Sequence, residues 1–240
     1  MGHQAGTGEW TNGARTTTMG SLALLLASGL SGQVGHPPNA SPYRDAPEGA
    51  TLVISAGYLT GSRGAVGVGP SDGGLVTVRF EHPFSQVFGA SLTLGDLHTT
   101  RYLIDPTQDS TTRNEGLIGN SVFTADVGAL MRLTGGKSWH GLVPTIGGFV
   151  GVAVGNHITQ DTSQYSFGTK VMFGPEAVLR WYVAHDVSVR ATMRVTWWRL
   201  AYPLQFQTPA ADGSRVLGVN AATTEWTQHP SLTLGVGWIF

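Results

Sequence analysis

The chain contains no cysteine. That excludes disulfides, thiol catalysis and cysteine-ligated metal sites, and it suits an oxidising compartment where a stray thiol is a liability. Charge is scarce as well. Asp, Glu, Lys and Arg make up 12% of the residues, about half the share usual in soluble domains. The net charge is -1, and no basic stripe recommends a nucleic-acid partner. Long hydrophobic runs are missing: Met19–Leu30 is about 12 residues, where a spanning helix needs about 20. No comparably long stretch carries helical periodicity. What is plentiful is glycine, 34 residues in 240, alongside ordinary hydrophobicity. Such a mixture suits one apolar face and one small or polar face.

The N-terminus reads as targeting. Arg15 precedes the short apolar run, and the small residues Ser31 and Gly32 follow it. This is the layout of a cleavable secretory signal over 1–32, with cleavage expected before Gln33. Residues 33–49 are rich in Pro and polar groups and read as an irregular N-terminal tail of the mature chain.

From residue 50 to 240 the governing pattern is period two, the mark of strands with unlike faces. Eight segments carry it, at about 50–60, 74–81, 86–103, 117–133, 142–155, 168–183, 187–199 and 230–240. The connections alternate in length. Those at 61–73, 104–116, 156–167 and 200–229 are long, whereas 82–85, 134–141 and 184–186 are short. That rhythm belongs to an eight-stranded antiparallel up-and-down transmembrane β-barrel with tight periplasmic turns and long outer loops. The even count places both termini on the periplasmic side. The longest connection, 200–229, has room for a further hairpin.

Period two does not say which face is outside, so the polar face has to decide. It carries Arg79, Glu81, Asp126, Arg132, Lys170, Glu176, Arg180, Arg190 and Arg194 among Gly, Ser and Thr. An eight-stranded barrel has a lumen just wide enough to be filled by side chains, and charges of both signs fill it when lipid already covers the other face. Aromatics on the apolar face fall toward the strand ends: Phe80, Phe88, Trp181, Trp238 and Phe240 at one end, Tyr58, Phe123 and Trp197 at the other. Two interfacial girdles have that distribution.

The closing segment Leu232-Thr-Leu-Gly-Val-Gly-Trp-Ile-Phe240 alternates and ends on an aromatic. It resembles the C-terminal signature by which bacterial barrels reach their assembly machinery. With Gly174–Tyr182 and Val187–Arg194, residues 50–240 are similar to the OmpA-like and opacity-type small barrels of Gram-negative cell envelopes. The resemblance implies an outer-membrane location, contact with membrane lipid and lipopolysaccharide, engagement of the assembly machinery through the strand ending at Phe240, and no cofactor. It departs from part of that family in that no peptidoglycan-binding domain follows Phe240, so wall anchoring through one is not implied.

A turn at 184–186 sets Arg180 opposite Arg190 and Glu176 opposite Arg194. Opposed arginines repel unless a carboxylate stands between them, and Glu176, Asp126 or Glu81 are the candidates. The set reads as a salt-bridged plug or as an ion pathway. The histidines His82, His98, His140, His157, His185 and His229 lack metal-ligand spacing, and no metal is expected. An enzyme acting on lipid A or peptides needs a nucleophile with His and a carboxylate at the outer rim. Ser110, Ser163, His98, His157, Asp105, Asp109 and Asp161 lie near the outer loops without a framing motif. A narrow pore or transporter and a soluble lipocalin-like binder complete the alternatives. The reading adopted is a structural or surface-interacting, adhesin-like envelope barrel, with no catalytic residue assigned. Its long loops carry Tyr165, Phe206 and Trp226, which are expected to contact an extracellular partner or one another.

Overall fold

A computed structural model describes residues 41–156, 161 and 163–240. The signal reading of 1–32 lies outside these residues. Ten strands run in chain order: β1 Tyr43–Asp45, β2 Thr51–Leu59, β3 Ser71–Pro83, β4 Phe88–Ile104, β5 Asn114–Arg132, β6 Lys137–Trp139, β7 Leu142–Gly155, β8 Thr169–Tyr182, β9 Val187–Ala201 and β10 Thr224–Ile239. The helical element among the described residues is one short 3-10 turn, Leu204–Gln207.

Eight of these strands, β2–β5 and β7–β10, pair antiparallel with their sequence neighbours, and β10 pairs back onto β2. The ring is therefore closed, an up-and-down barrel without free edges. Closure is direct: Leu232 meets Tyr58, and Ile239 meets Thr51. The first and last barrel strands thus start and finish at the same end.

Two expectations need correction. The described part of the irregular tail carries β1, which pairs with β6 through Tyr43–Trp139 and Asp45–Lys137. An ion pair of 2.5 Å from Lys137 to Asp45 reinforces it. The connection at 134–141 therefore holds a small strand of its own, turning into β7 at His140 and Gly141, both at positive φ. The last long loop hides no extra hairpin. Its C-terminal portion extends β10 back to Thr224, because Thr224–His229 continue the ladder with β9.

The pleat sorts the side chains. Along β2, Leu52, Ile54 and Tyr58 stand exposed on the outer wall, whereas Thr51, Val53, Ser55 and Leu59 are buried inside. β8 and β10 alternate in the same way: Leu179, Trp181, Leu232, Leu234 and Trp238 point out, and Glu176, Arg180, Ser231 and Thr233 point in. The wall has one weak seam. Pairing between β8 and β9 lapses between Phe173–Trp197 and Glu176–Arg194, where Pro175 has no N–H to donate. Gly174 is required there: a Cβ would stand 1.8 Å from the Val195 carbonyl oxygen.

Candidate functional site

The lumen is filled in two layers. In the half nearer the short turns, inward positions of four strands, β3, β5, β8 and β9, bring seven charges together. Glu81 on β3 receives three arginines. Arg79 Nε lies at 2.9 Å, Arg190 Nη1 at 2.8 Å, and Arg180 donates from the far side. Glu176 on β8 takes Arg79 at 2.5 Å and Arg194 at 3.3 Å. Arg194 also forks onto Asp126 with contacts of 2.7 and 3.1 Å, a charge-assisted bidentate pair. Its guanidinium lies over the Phe149 ring, 3.5 Å from the centroid.

The expected register between β8 and β9 is the observed one: Arg180 pairs with Arg190 and Glu176 with Arg194. The carboxylate between the opposed arginines is Glu81, from a strand across the barrel. Of the remaining charges read as lumenal, Arg132 lines a cavity of about 20 Å³ with Glu81, Thr145 and Arg180. It enters no ion pair among the described residues, and neither does half-buried Lys170 at the outer end of β8. That cavity has room for about one water.

The outer half is apolar. Leu59, Leu75, Leu97, Val122, Met172, Trp198 and Leu200 project inward from six strands, and Val68, Tyr165, Phe167, Tyr202, Phe206 and Leu217 descend onto them from the loops. Phe167 meets Trp198 edge-on at 5.4 Å, and His229 stacks on Trp198 at 4.1 Å. A second cavity of about 20 Å³, bounded by Thr77, Thr124, Arg194 and Trp198, marks the border between the layers. Of the two contacts open to the loop aromatics, Tyr165 and Phe206 make the one among the loops themselves: both are buried in this plug, joined through Tyr202. Large rings in a polar loop gain more by covering the open end of an apolar shaft than by facing water. Trp226 is exposed, but on β10 and against Phe173.

The loops are tied to the barrel and to each other. Arg101 on β4 pairs with Asp161 at 2.5 Å, both almost wholly buried, with its guanidinium over Tyr165. Glu225 accepts from the Ala65 amide at 2.6 Å and from the Tyr202 hydroxyl. Burial, reinforced by that carboxylate, holds the Tyr202 hydroxyl protonated well above the ordinary tyrosine range. Asp212 accepts from the Ser110 amide, and Arg113 reaches Ser214.

The aromatics read as girdles all project from the outer wall. Phe80, Phe88, Trp181, Trp238 and Phe240 do so at the short-turn end, with Phe80 and Phe240 6.4 Å apart; Tyr58, Phe123 and half-covered Trp197 do so toward the loops. Phe173 joins Trp197 at 5.9 Å.

The polar residues weighed for catalysis do not converge as a set. Ser163 is buried and bonds Asp161, Ser110 lies with Asp212, and His157 is outside the described residues. His98 instead contacts two residues that spacing had not linked to it, Ser121 and Asp96. The signal was present in the ladder, since Asp96 and His98 are two apart on one strand.

No protein-family model matches the sequence, and no curated protein does. Among solved structures, the chain is similar to Neisserial surface protein A, with a TM-score of 0.53 and 12% identity over 82% of this chain and 100% of that one. It is also similar to the outer membrane protein OprG from Pseudomonas aeruginosa, with a TM-score of 0.51 and 11% identity over 82% of this chain and 98% of that one. A closed ring of eight antiparallel strands is what these proteins share with it. The chain has the fold of the small outer-membrane β-barrels.

Proposed function

We propose that the protein is an integral component of a bacterial outer membrane whose lumen is sealed, and that it acts from its outer loops as a structural or surface-contact, adhesin-like element. In this reading the apolar wall meets membrane lipid and lipopolysaccharide. The short turns and both ends of the barrel face the periplasm, and the strand ending at Phe240 is what the assembly machinery engages.

The observation that carries the proposal is the two-layer filling of the lumen. A buried charge network followed by a packed aromatic plug leaves no place for a diffusing solute, and this disfavours a pore. The cross-tied loops form a platform with a fixed shape, which suits recognition because little ordering entropy is lost on contact.

Two measurements test it. Purified protein in planar bilayers is expected to show no steady conductance; a persistent open channel overturns the sealed-lumen reading. Replacing residues 207–220 by a short turn is expected to leave a heat-modifiable folded barrel while abolishing attachment of expressing cells to immobilised matrix glycans or proteins. Unchanged attachment, or none in the parent, overturns the surface role.

A further inference from the structure

We infer that Ser121, His98 and Asp96 form an ester-hydrolysing site on the outer wall, directed at an acyl ester of an outer-leaflet lipid. The Ser121 hydroxyl lies 3.3 Å from His98 Nδ1, and His98 Nε2 lies 3.3 Å from Asp96 Oδ2. The inference rests on the membrane placement proposed above, because the substrate is a component of that membrane.

The ladder assembles the three groups. Asp96 and His98 are alternate residues of β4 and share its outer face. Ser121 is the direct cross-strand partner of His98 on β5. A hydroxyl, an imidazole and a carboxylate in that order are a nucleophile, its base and the group that orients the base. Contacts of this length are usual before substrate draws a site together.

Their height on the wall selects the substrate. Below them on β4, the outward file is Phe88, Ala90, Leu92 and Leu94; on β5 it is Met131, Ala129, Val127, Ala125 and Phe123. All are apolar. The outward file turns polar at Asp96 on β4, opposite Phe123, and one outward position higher on β5, at Ser121 opposite His98. Counting from Phe88, His98 is ten residues up β4. At about 3.3 Å per residue and a tilt of about 40° this is about 25 Å, the height of the apolar band of such barrels. The site therefore stands at the outer boundary of the acyl region, where ester carbonyls join chains to headgroups. It is also open. His98 and Asp96 are 70% and 54% exposed. On β3, the neighbour of His98 is Gly74, whose own far neighbour is Tyr58. A Cβ at Gly74 would meet nothing within 4 Å, so a bare strip of backbone separates the two side chains.

The chemistry balances with water alone. Ser121 Oγ forms a bond to the ester carbonyl carbon as its proton passes to His98 Nδ1, with Asp96 holding the Nε2–H and facing the positive ring. The carbon–oxygen bond to the headgroup breaks, and His98 returns the proton to the leaving alcohol. Water then adds to the acyl–serine by the same route, giving a free fatty acid and restoring Ser121.

The test uses the full folded barrel in two kinds of vesicle: phosphatidylethanolamine with phosphatidylglycerol, and the same mixture with lipopolysaccharide. Released fatty acid is read by mass spectrometry, and serine reactivity by labelling with a fluorophosphonate. Release is expected in at least one arm, and the arm names the ester's source. Ser121→Ala is expected to lose both release and label, His98→Ala to lose release, Asp96→Asn to lower it, and Ser110→Ala to retain it. A heat-modifiability gel and vesicle flotation read folding and insertion separately, so failure of the membrane placement is distinguishable from failure of the site. Folded, inserted protein releasing no fatty acid in either arm, or releasing it equally as Ser121→Ala, overturns the inference.

Discussion

Arg180 and Arg190 stand directly opposite each other on adjacent strands, held there by one carboxylate, that of Glu81. The two guanidiniums are buried in the narrow part of the barrel, where their repulsion is poorly screened. Glu81 also forms an ion pair with Arg79, so one acidic side chain reconciles three positive ones.

Removing that side chain should cost more than any other single change in the lumen. Breaking a buried ion pair by deleting one partner costs about 3–5 kcal/mol, and Glu81→Ala leaves both Arg180 and Arg190 with no carboxylate, whereas Arg79 keeps Glu176. Urea unfolding followed by heat-modifiability gel should rank Glu81→Ala below both Glu176→Ala and Asp126→Ala, because Arg79 and Arg194 each keep a second carboxylate in those variants. A midpoint for Glu81→Ala equal to that of an exposed loop substitution contradicts this ordering.

The outer plug should fail locally. Phe206 is completely buried among Tyr202, Leu217 and the strand residues, and truncating a core phenylalanine costs about 3–5 kcal/mol. Phe206→Ala should make the 202–223 loop sensitive to externally added protease while the charge layer keeps bilayer conductance at the parental level. Conductance rising in this variant places the seal in the aromatic layer alone.

Arg101 and Asp161 fasten the third outer loop to β4. Asp161→Asn leaves a buried guanidinium without its counter-charge. Hydrogen exchange at Tyr165–Gly168 should accelerate markedly, with exchange in β8 unchanged. Equal protection in parent and variant argues that packing of Tyr165 and Phe167 alone holds the loop.

The tie between the second and fourth outer loops depends on pH. Hydrogen bonds from the Ser110 amide and from Ser214 hold the Asp212 carboxyl well below the usual carboxylate range. A folded-state value depressed in this way adds stability above the unfolded value, about 3.9. That contribution is lost as pH falls toward the folded value. Extra protection of the Ser110 and Ser214 amides, relative to Asp212→Ala, should be full at about pH 5 and fade only below about pH 4. Protection already lost at neutral pH would falsify this linkage.

The strands and the charged face were legible because the barrel imposes period two over long segments, and a one-residue slip would send Arg190 and Arg194 into the acyl region. The β8–β9 register followed from the turn at 184–186. Which carboxylate separates the arginines did not, because Glu81 crosses the lumen from β3, and pairwise ladders do not report distances across a barrel. The apolar outer layer was missed for a related reason. Inward positions change from Arg and Thr to Trp198 and Leu200 only near the loop ends, and Tyr165 and Phe206, in polar segments, fit contact with a partner as well as contact with one another. The adjacent pair Trp197–Trp198 held the clue, since one of two neighbouring strand residues must face inward.

The central claim is that the Leu and Val side of these strands meets acyl chains while arginines lie within. With no native cysteine, single spin labels can be placed at Leu92, Leu234, Thr93 and Thr233 in lipid vesicles without background. The account predicts high accessibility to oxygen at positions 92 and 234, and low accessibility to both oxygen and a water-soluble nickel chelate at 93 and 233. Oxygen contact at 93 and 233 with protection at 92 and 234 would contradict it.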